Sequence, residues 1–271
     1  MDMGAALLNT LLATGLTFLC TTIGSAAVFF MKPRRAPDDA GPRLAETLSL
    51  GFAAGIMVAA AVWSLLIPGM EAAESAGISP VAAAVGGFLA GAFFLKFLDM
   101  AMPHLHPGAS APEGPKTKLR RAQLLFLAIT LHNLPEGGSV GLTSGMAALA
   151  DSAPSLSAAL ALAIGIGIQN IPEGAAVSIP MAEQGYSRTK AFLFGAFSGV
   201  VEPVCGVVVV LGLPFFAPLM PFMLAFAAGA MLYVVVEELI PSAHLSEHSD
   251  AGTLAFIFGF ALMMALDVAL G

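Results

Sequence analysis

Eight apolar runs, each long enough to cross a lipid bilayer, occupy most of this sequence of 271 residues. A membrane-spanning helix needs roughly 20 predominantly apolar residues. The mean hydropathy is +0.87 and only 11% of the residues are charged, against about 25% in soluble domains. So few charges cannot cover a soluble surface, and the sequence therefore predicts an all-α, polytopic membrane protein with eight transmembrane helices. The predicted spans cover residues 4–31, 44–69, 79–102, 121–148, 154–182, 190–213, 216–241 and 251–270.

The spans and their connections account for the whole length, which predicts one transmembrane domain over residues 1–271. No room remains for a separate catalytic domain, and the sequence contains no G-x-x-x-x-G-K-[ST] motif for a nucleotide. The connections 32–43 and 103–120 are rich in proline, glycine and charge, and we expect both to be flexible cytoplasmic loops. The two cysteines lie inside apolar runs and cannot form a disulfide framework.

Basic residues are retained on the cytoplasmic side of a membrane and so set the orientation of the chain. Ten of the 11 lysines and arginines lie in alternate connections, and the connections on the opposite face contain none. Both termini are therefore expected to lie outside. The ten residues are Lys32, Arg34, Arg35, Arg43, Lys116, Lys118, Arg120, Arg121, Arg188 and Lys190.

Close helix packing is indicated by four G-x-x-x-G pairs, because two small residues one turn apart let helix backbones approach in lipid. A structural role is expected for all of them. The pairs are Gly51/Gly55, Gly87/Gly91, Gly141/Gly145 and Gly195/Gly199.

Three carboxylates, Glu136, Glu173 and Glu202, fall near the middle of spans four, five and six. Two of them belong to a repeated segment, HNLPEG over residues 132–137 and QNIPEG over residues 169–174. In each copy the first residue and the glutamate are four positions apart and share one helix face. Because spans four and five run antiparallel, the two copies are related by an axis in the membrane plane, as in an inverted repeat.

Each copy of the motif also carries a proline, Pro135 in span four and Pro172 in span five. Proline removes a helical N–H and frees the carbonyl four residues earlier, so both helices are expected to kink beside their polar residues. Interrupted helices at mid-membrane usually line a cavity or an ion site. The sequence therefore predicts a binding site between kinked spans four and five.

The chemistry of these residues favours a divalent cation. No lysine or arginine lies at the depth of the three glutamates, so ion pairing cannot neutralise them. A proton path would not need His132, Asn133, Gln169 and Asn170 beside the carboxylates, whereas a metal ion uses imidazole and amide oxygen to complete its ligand shell. Without thiolates the site does not suit Cu(I). Zinc is the first expectation, followed by Fe²⁺, Mn²⁺ and Co²⁺.

Around these motifs the chain resembles the ZIP family of divalent-metal transporters, in particular its GufA-like bacterial branch. The resemblance extends to GFAAGIM in span two, KFLDMAMPHLH after span three, VEP in span six and EELIPSAH after span seven. It implies a ZIP-type bundle in the bacterial inner membrane that moves zinc, or Cd²⁺ and similar ions, into the cytoplasm without ATP.

The resemblance also implies a binuclear metal site at mid-membrane. One metal would be held by His132, Glu136, Gln169 and Glu173, with Met57 contributing from span two. The second would be held by Asn133, Asn170 and Glu202, with Glu136 and Glu173 bridging the two ions. Some relatives carry Asp in place of Asn170 and His in place of Gln169, so metal selectivity is left open here.

Several residues at the cytoplasmic ends of spans three and seven are either exit-path ligands or solvated helix ends, and the sequence does not decide between these roles. They are Asp99, His104, His106, Glu237, Glu238 and His244.

Other functions are less well supported by the sequence. An intramembrane zinc protease would need H-E-x-x-H, which is absent, and a metal-dependent hydrolase would need a base separate from its metal ligands. An enzyme is therefore not expected, whereas a selective ion channel could use the same site. The expected partners are divalent metal ions and membrane lipid, not nucleic acid, and a homodimer is left open.

The orientation can be tested by labelling single cysteines, in a background from which Cys20 and Cys205 have been removed. We expect Ser152→Cys, between spans four and five, to react with an impermeant thiol reagent from outside the cell. Thr117→Cys, between spans three and four, should be protected until the membrane is opened. The reverse labelling pattern would contradict the predicted orientation.

Overall fold

The computed structural model describes residues 3–30, 44–103, 114–116, 119, 121–148, 155–243 and 250–270. Its helices follow the eight predicted spans in order, and no strand occurs in the described ranges. The predicted loop 32–43 lies outside them, and so do residues 104–113, 117, 118 and 120 of the predicted loop 103–120. The helices are α1 (Met3–Ser25, continued by Ala27–Phe30), α2 (Leu44–Ala60, Ala61–Leu66 and Ile67–Ser75), α3 (Pro80–Ala101), α4 (Arg121–Ala147), α5 (Leu156–Glu183), α6 (Arg188–Ser198 and Val201–Phe216), α7 (Met220–Val234, Val235–Leu239 and Ile240–Ser242) and α8 (Asp250–Leu270).

Seven of these helices are long and apolar enough to cross a membrane by length and composition, among the described residues. The remaining one is α4, which carries HNLPEG and the buried hydroxyl residues Ser139, Thr143 and Ser144. These polar side chains lower its hydropathy, although they face the protein interior. The all-helical, polytopic architecture predicted from the sequence is therefore confirmed.

Irregular helical turns lie in α2 and α7. In each helix a π-helical segment, Ala61–Leu66 or Val235–Leu239, ends two positions before a proline, Pro68 or Pro241. The N–H before the proline then bonds to the carbonyl five residues earlier, Ile67 to Val62 and Ile240 to Val235. Because proline cannot donate and clashes with the preceding turn, the backbone widens there.

Pro135 and Pro172, by contrast, lie inside uninterrupted α-helix. The expected kinks at these two prolines stay a prediction, and the described interruption nearest the polar residues is instead the turn at Gly199–Val200 in α6.

The four most extensive helix contacts form a symmetrical set. They join α2 to α8, α3 to α7, α1 to α5 and α4 to α6. A two-fold relation that exchanges α1, α2 and α3 with α6, α7 and α8, and α4 with α5, converts each of these pairs into another pair of the set. The tripeptide Leu-Ile-Pro at 66–68 in α2 and at 239–241 in α7 follows the same relation. The packing thus supports the inverted repeat that the polar motifs indicated.

Helix backbones touch where the G-x-x-x-G pairs predicted close packing. A Cβ on Gly55 of α2 would overlap the carbonyl oxygen of Phe256 in α8. A Cβ on Gly91 of α3 would likewise overlap the carbonyl oxygen of Phe226 in α7. Since the atoms in the way belong to backbone, no rotamer change can relieve the contact, and the structural role of these glycines is confirmed.

The cytoplasmic ends predicted for spans one and six are joined directly. The guanidinium of Arg188, at the start of α6, donates to the backbone oxygen of Phe29 at the end of α1, at 2.7 Å. The two helix ends therefore lie on the same side of the bundle, as alternating topology requires.

The contact of α3 with α7 predicts that two glycines of α3 differ in how well they tolerate a side chain. Gly91→Ala should lower the apparent melting temperature of the purified protein, because overpacking costs about 1–3 kcal/mol. Gly86→Ala is the matched control, since its Cβ would meet only the ring of Phe222 at 3.8 Å. Size-exclusion chromatography after heating measures both variants, and equal stability would contradict the packing described for α3.

Candidate metal site

The three glutamates predicted from the sequence lie together in the interior, between α4, α5 and α6. Glu136 and Glu202 are fully buried and Glu173 is 5% exposed. Buried like charges are costly in a bilayer, so other groups must compensate them.

Side-chain amides of the second motif connect the carboxylates across the helix interfaces. Gln169 Nε2 donates to Glu136 Oε1 at 2.8 Å, joining α5 to α4. Asn170 Nδ2 donates to Glu202 Oε2 at 3.0 Å, joining α5 to α6. The neighbouring polar residues of QNIPEG thus serve two different helices, and one carboxylate oxygen of each partner is satisfied.

Asn133 compensates the break in α6. Its Nδ2 donates to the backbone oxygen of Ser198 at 2.8 Å. The N–H of Glu202 would ordinarily reach this oxygen, but it bonds to Gly199 instead, at 3.1 Å. The break therefore leaves the Ser198 carbonyl available, and the first motif satisfies it from α4. Sequence reasoning gave Asn133 only a role as metal ligand and missed this contact.

Five buried oxygen atoms of the predicted ligands have no hydrogen-bond donor. They are Asn133 Oδ1, Glu136 Oε2, Gln169 Oε1, Asn170 Oδ1 and Glu173 Oε2. Among the described residues only one further buried side-chain atom, Asp267 Oδ2, shares this condition. An acceptor buried without a donor is costly, and a concentration of such acceptors is suited to a cation.

No three His, Cys, Asp or Glu side chains of the described residues form a compact metal-binding cluster. The amide nitrogens of Gln169 and Asn170, and not their oxygens, lie against the carboxylates. Coordination of a cation would require both amides to turn their oxygens toward it.

His132 lies at the edge of this site and faces a fourth glutamate. Its Nε2 is 3.7 Å from Glu238 Oε1, and Glu238 is only 3% exposed. The sequence reading placed Glu237 and Glu238 together at the cytoplasmic end of span seven. In the structure Glu237 is exposed, whereas the π-helical turn of α7 presents Glu238 to α4. The repeated Leu-Ile-Pro was the signal that could have indicated this irregular turn.

The remaining candidates lie elsewhere. Met57 is fully buried among apolar side chains of the core, and its role as a ligand stays a prediction. Asp99 accepts a hydrogen bond from the hydroxyl of Tyr233 at 3.3 Å, between α3 and α7. His104, His106 and His244 lie outside the described residues.

The fold and the site together define a polytopic membrane protein with carboxylate, amide and imidazole groups buried between its helices. The family model described as ZIP zinc transporter matches residues 113–267, more than half of the chain. The chain therefore belongs to the ZIP zinc transporter family.

Named relatives agree with this assignment. Zinc transporter ZIP11 of Homo sapiens is 35% identical over 98% of both chains. Zinc transporter GufA of Myxococcus xanthus is 36% identical over 99% of this chain and its own full length. Zinc transporter ZIPB of Bordetella bronchiseptica is 40% identical over 82% of this chain and 71% of its own.

The contact of Asn133 with α6 can be tested without metal. Asn133→Leu keeps the approximate volume but leaves the Ser198 oxygen without its donor, at a cost of about 1–3 kcal/mol. We expect a lower apparent melting temperature in chelator-treated protein. Thr130→Val is the control, because its hydroxyl donates within α4 to the backbone oxygen of Phe126. Equal melting temperatures for the two variants would show that the interhelical bond does not stabilise α6.

Proposed function

We propose that the protein transports zinc across the membrane into the cytoplasm, through the site between α4, α5 and α6. The observation that carries this proposal is the group of five buried, donorless oxygens, which all belong to the predicted ligands. The family and the relatives named as zinc transporters support the same function. They support a transporter over an enzyme that uses its metal for hydrolysis.

The two proposed metal positions are neutralised by one common set of carboxylates. His132, Glu136, Gln169 and Glu173 would hold the first ion, together with Met57, and Asn133, Asn170 and Glu202 would complete the second. Three ionised glutamates carry a formal charge of −3, so one divalent ion leaves −1 and two leave +1. One ion thus removes most of the repulsion between the carboxylates, and the second adds less electrostatic stabilisation.

Metal binding in this scheme exchanges one set of interactions for another. The amide nitrogens of Gln169 and Asn170 now donate to Glu136 and Glu202. On binding, the amides rotate, and their donorless oxygens take up the cation. The hydrogen bonds therefore compensate the carboxylates in the absence of metal, and they are given up only when a cation replaces them.

The wider setting rests on the family resemblance, which implies the membrane, and on loop charge, which gives the orientation. We place the protein in the bacterial inner membrane as a single transmembrane domain over residues 1–271, with both termini outside. No nucleotide is required, and Fe²⁺, Mn²⁺, Co²⁺ and Cd²⁺ are the competing ions, since they accept the same donor types.

The two metal positions predict different results for two glutamates. Glu173→Gln should reduce zinc uptake into proteoliposomes by at least about tenfold, because a bridging carboxylate is lost from a low-dielectric site. Glu202→Gln should bind one ion fewer but retain measurable uptake. A metal-sensitive dye inside the vesicles measures uptake, and calorimetry gives the number of ions bound.

Glu74→Gln is the matched control for both variants, because Glu74 is exposed at the end of α2. It should transport as the parent does at equal protein content. Near-normal uptake by Glu173→Gln would remove the basis for the proposed site. Equal inactivity of Glu202→Gln and Glu173→Gln would contradict the division into two positions.

A further inference from the structure

Thr21 of α1 reaches the candidate site from a helix to which no ligand was assigned. It is fully buried, and its Oγ1 lies 3.1 Å from Glu202 Oε1. The same hydroxyl is 3.2 Å from the backbone oxygen of Thr17. It has one proton to donate, and a carboxylate is the stronger acceptor of the two. Thr21 therefore provides a donor for the Glu202 oxygen that Asn170 does not contact.

Glycines of two other helices hold Thr21 in this position. A Cβ on Gly174, the residue after Glu173, would overlap the backbone oxygen of Thr21. A Cβ on Gly199, at the break of α6, would lie 2.9 Å from the Thr21 Cβ. A side chain at either glycine would push α1 away. The absence of side chains at both positions therefore lets α1 pack closely enough for Thr21 to reach Glu202.

The inverted repeat gives this contact a counterpart. Gly137, the residue after Glu136, meets the backbone of Glu202 in the way that Gly174 meets Thr21. The relation that exchanges α4 with α5 and α1 with α6 therefore brings Thr21 onto the position of Glu202. One half of the repeat supplies a carboxylate there, and the other supplies a hydroxyl that donates to it.

We propose that Thr21 is a positioning residue for the second metal ion, an inference that rests on the proposed function. Its hydroxyl holds Oε1 of Glu202, which directs Oε2 toward Asn170 and the space between α5 and α6. A metal that displaces the Asn170 nitrogen then meets a carboxylate oxygen already in place. Thr21 itself does not bind the ion.

Replacement of Thr21 by valine tests this role, because valine keeps the branched shape and removes the donor. Loss of a partner that orients a ligand typically weakens metal binding 10–100-fold. We expect Thr21→Val to weaken the affinity for the second zinc ion by about this factor, while the affinity for the first ion changes by less than about twofold. Thr21→Ser retains the hydroxyl and should bind both ions with parental affinity. Calorimetric titration of the purified protein with zinc measures both affinities.

Thr22→Val is the matched control, because the Thr22 hydroxyl donates to the backbone oxygen of Phe18 within α1. It should bind both ions as the parent does. In a Glu202→Gln background, which is expected to bind only the first ion, Thr21→Val should leave the affinity for that ion unchanged, since Thr21 acts only through Glu202. If Thr21→Val does not fold, Thr21→Ala is compared with Thr21→Ser in the same titration.

Four results would overturn the role of Thr21. In the first, Thr21→Val binds both ions with parental affinity. In the second, it weakens the affinity for both ions equally. In the third, Thr21→Ser does not bind the second ion with parental affinity. In these cases a parent that binds two ions and transports zinc leaves the proposed function intact. A parent that binds only one ion would instead contradict the binuclear site itself, and the role of Thr21 with it.

Discussion

A carboxylate at the middle of a bilayer is stable only when hydrogen bonds or a cation compensate it. In this protein the buried glutamates of α4, α5 and α6 impose that requirement together. The amides of Gln169 and Asn170, the hydroxyl of Thr21 and the imidazole of His132 all face a carboxylate. The helices that carry these groups must pack closely enough for them to reach, and so the site determines much of the helix arrangement.

The three glutamates differ in how many of their oxygens have a hydrogen-bond donor, and this difference predicts where a cation binds first. Both oxygens of Glu202 have donors, whereas Glu136 and Glu173 each keep one oxygen without any. A cation that entered the proposed site would gain most beside Glu136 and Glu173, where no hydrogen bond has to be broken at the free oxygen. The order in which two ions are expected to bind thus follows from the order in which the protein leaves oxygens unsatisfied.

Sequence patterns predicted the spans, the repeated motif and the burial of its glutamates, because these depend on hydropathy and on a regular helical period. They did not predict the position of Glu238, since a π-helical turn adds one residue per turn and changes which side chains face inward. They also missed Thr21, because a threonine in a helix ordinarily bonds to its own backbone. The break in α6 does have a local signal, because Pro203 has no N–H to donate to the carbonyl of Gly199 four residues earlier. What the sequence did not indicate is that Asn133 of α4 satisfies the Ser198 carbonyl which the break leaves available.

The glycines that end the two motifs have a consequence for natural variation in such chains. Gly137 lies against the backbone of Glu202, and Gly174 lies against that of Thr21. One added methyl group at either position would separate two helices without removing any candidate ligand. An inherited change there is therefore expected to disturb the proposed site as the loss of a glutamate would, although every proposed ligand remained present. The proposed site therefore depends on the Glu-Gly dipeptide of each motif, and not on the glutamate alone.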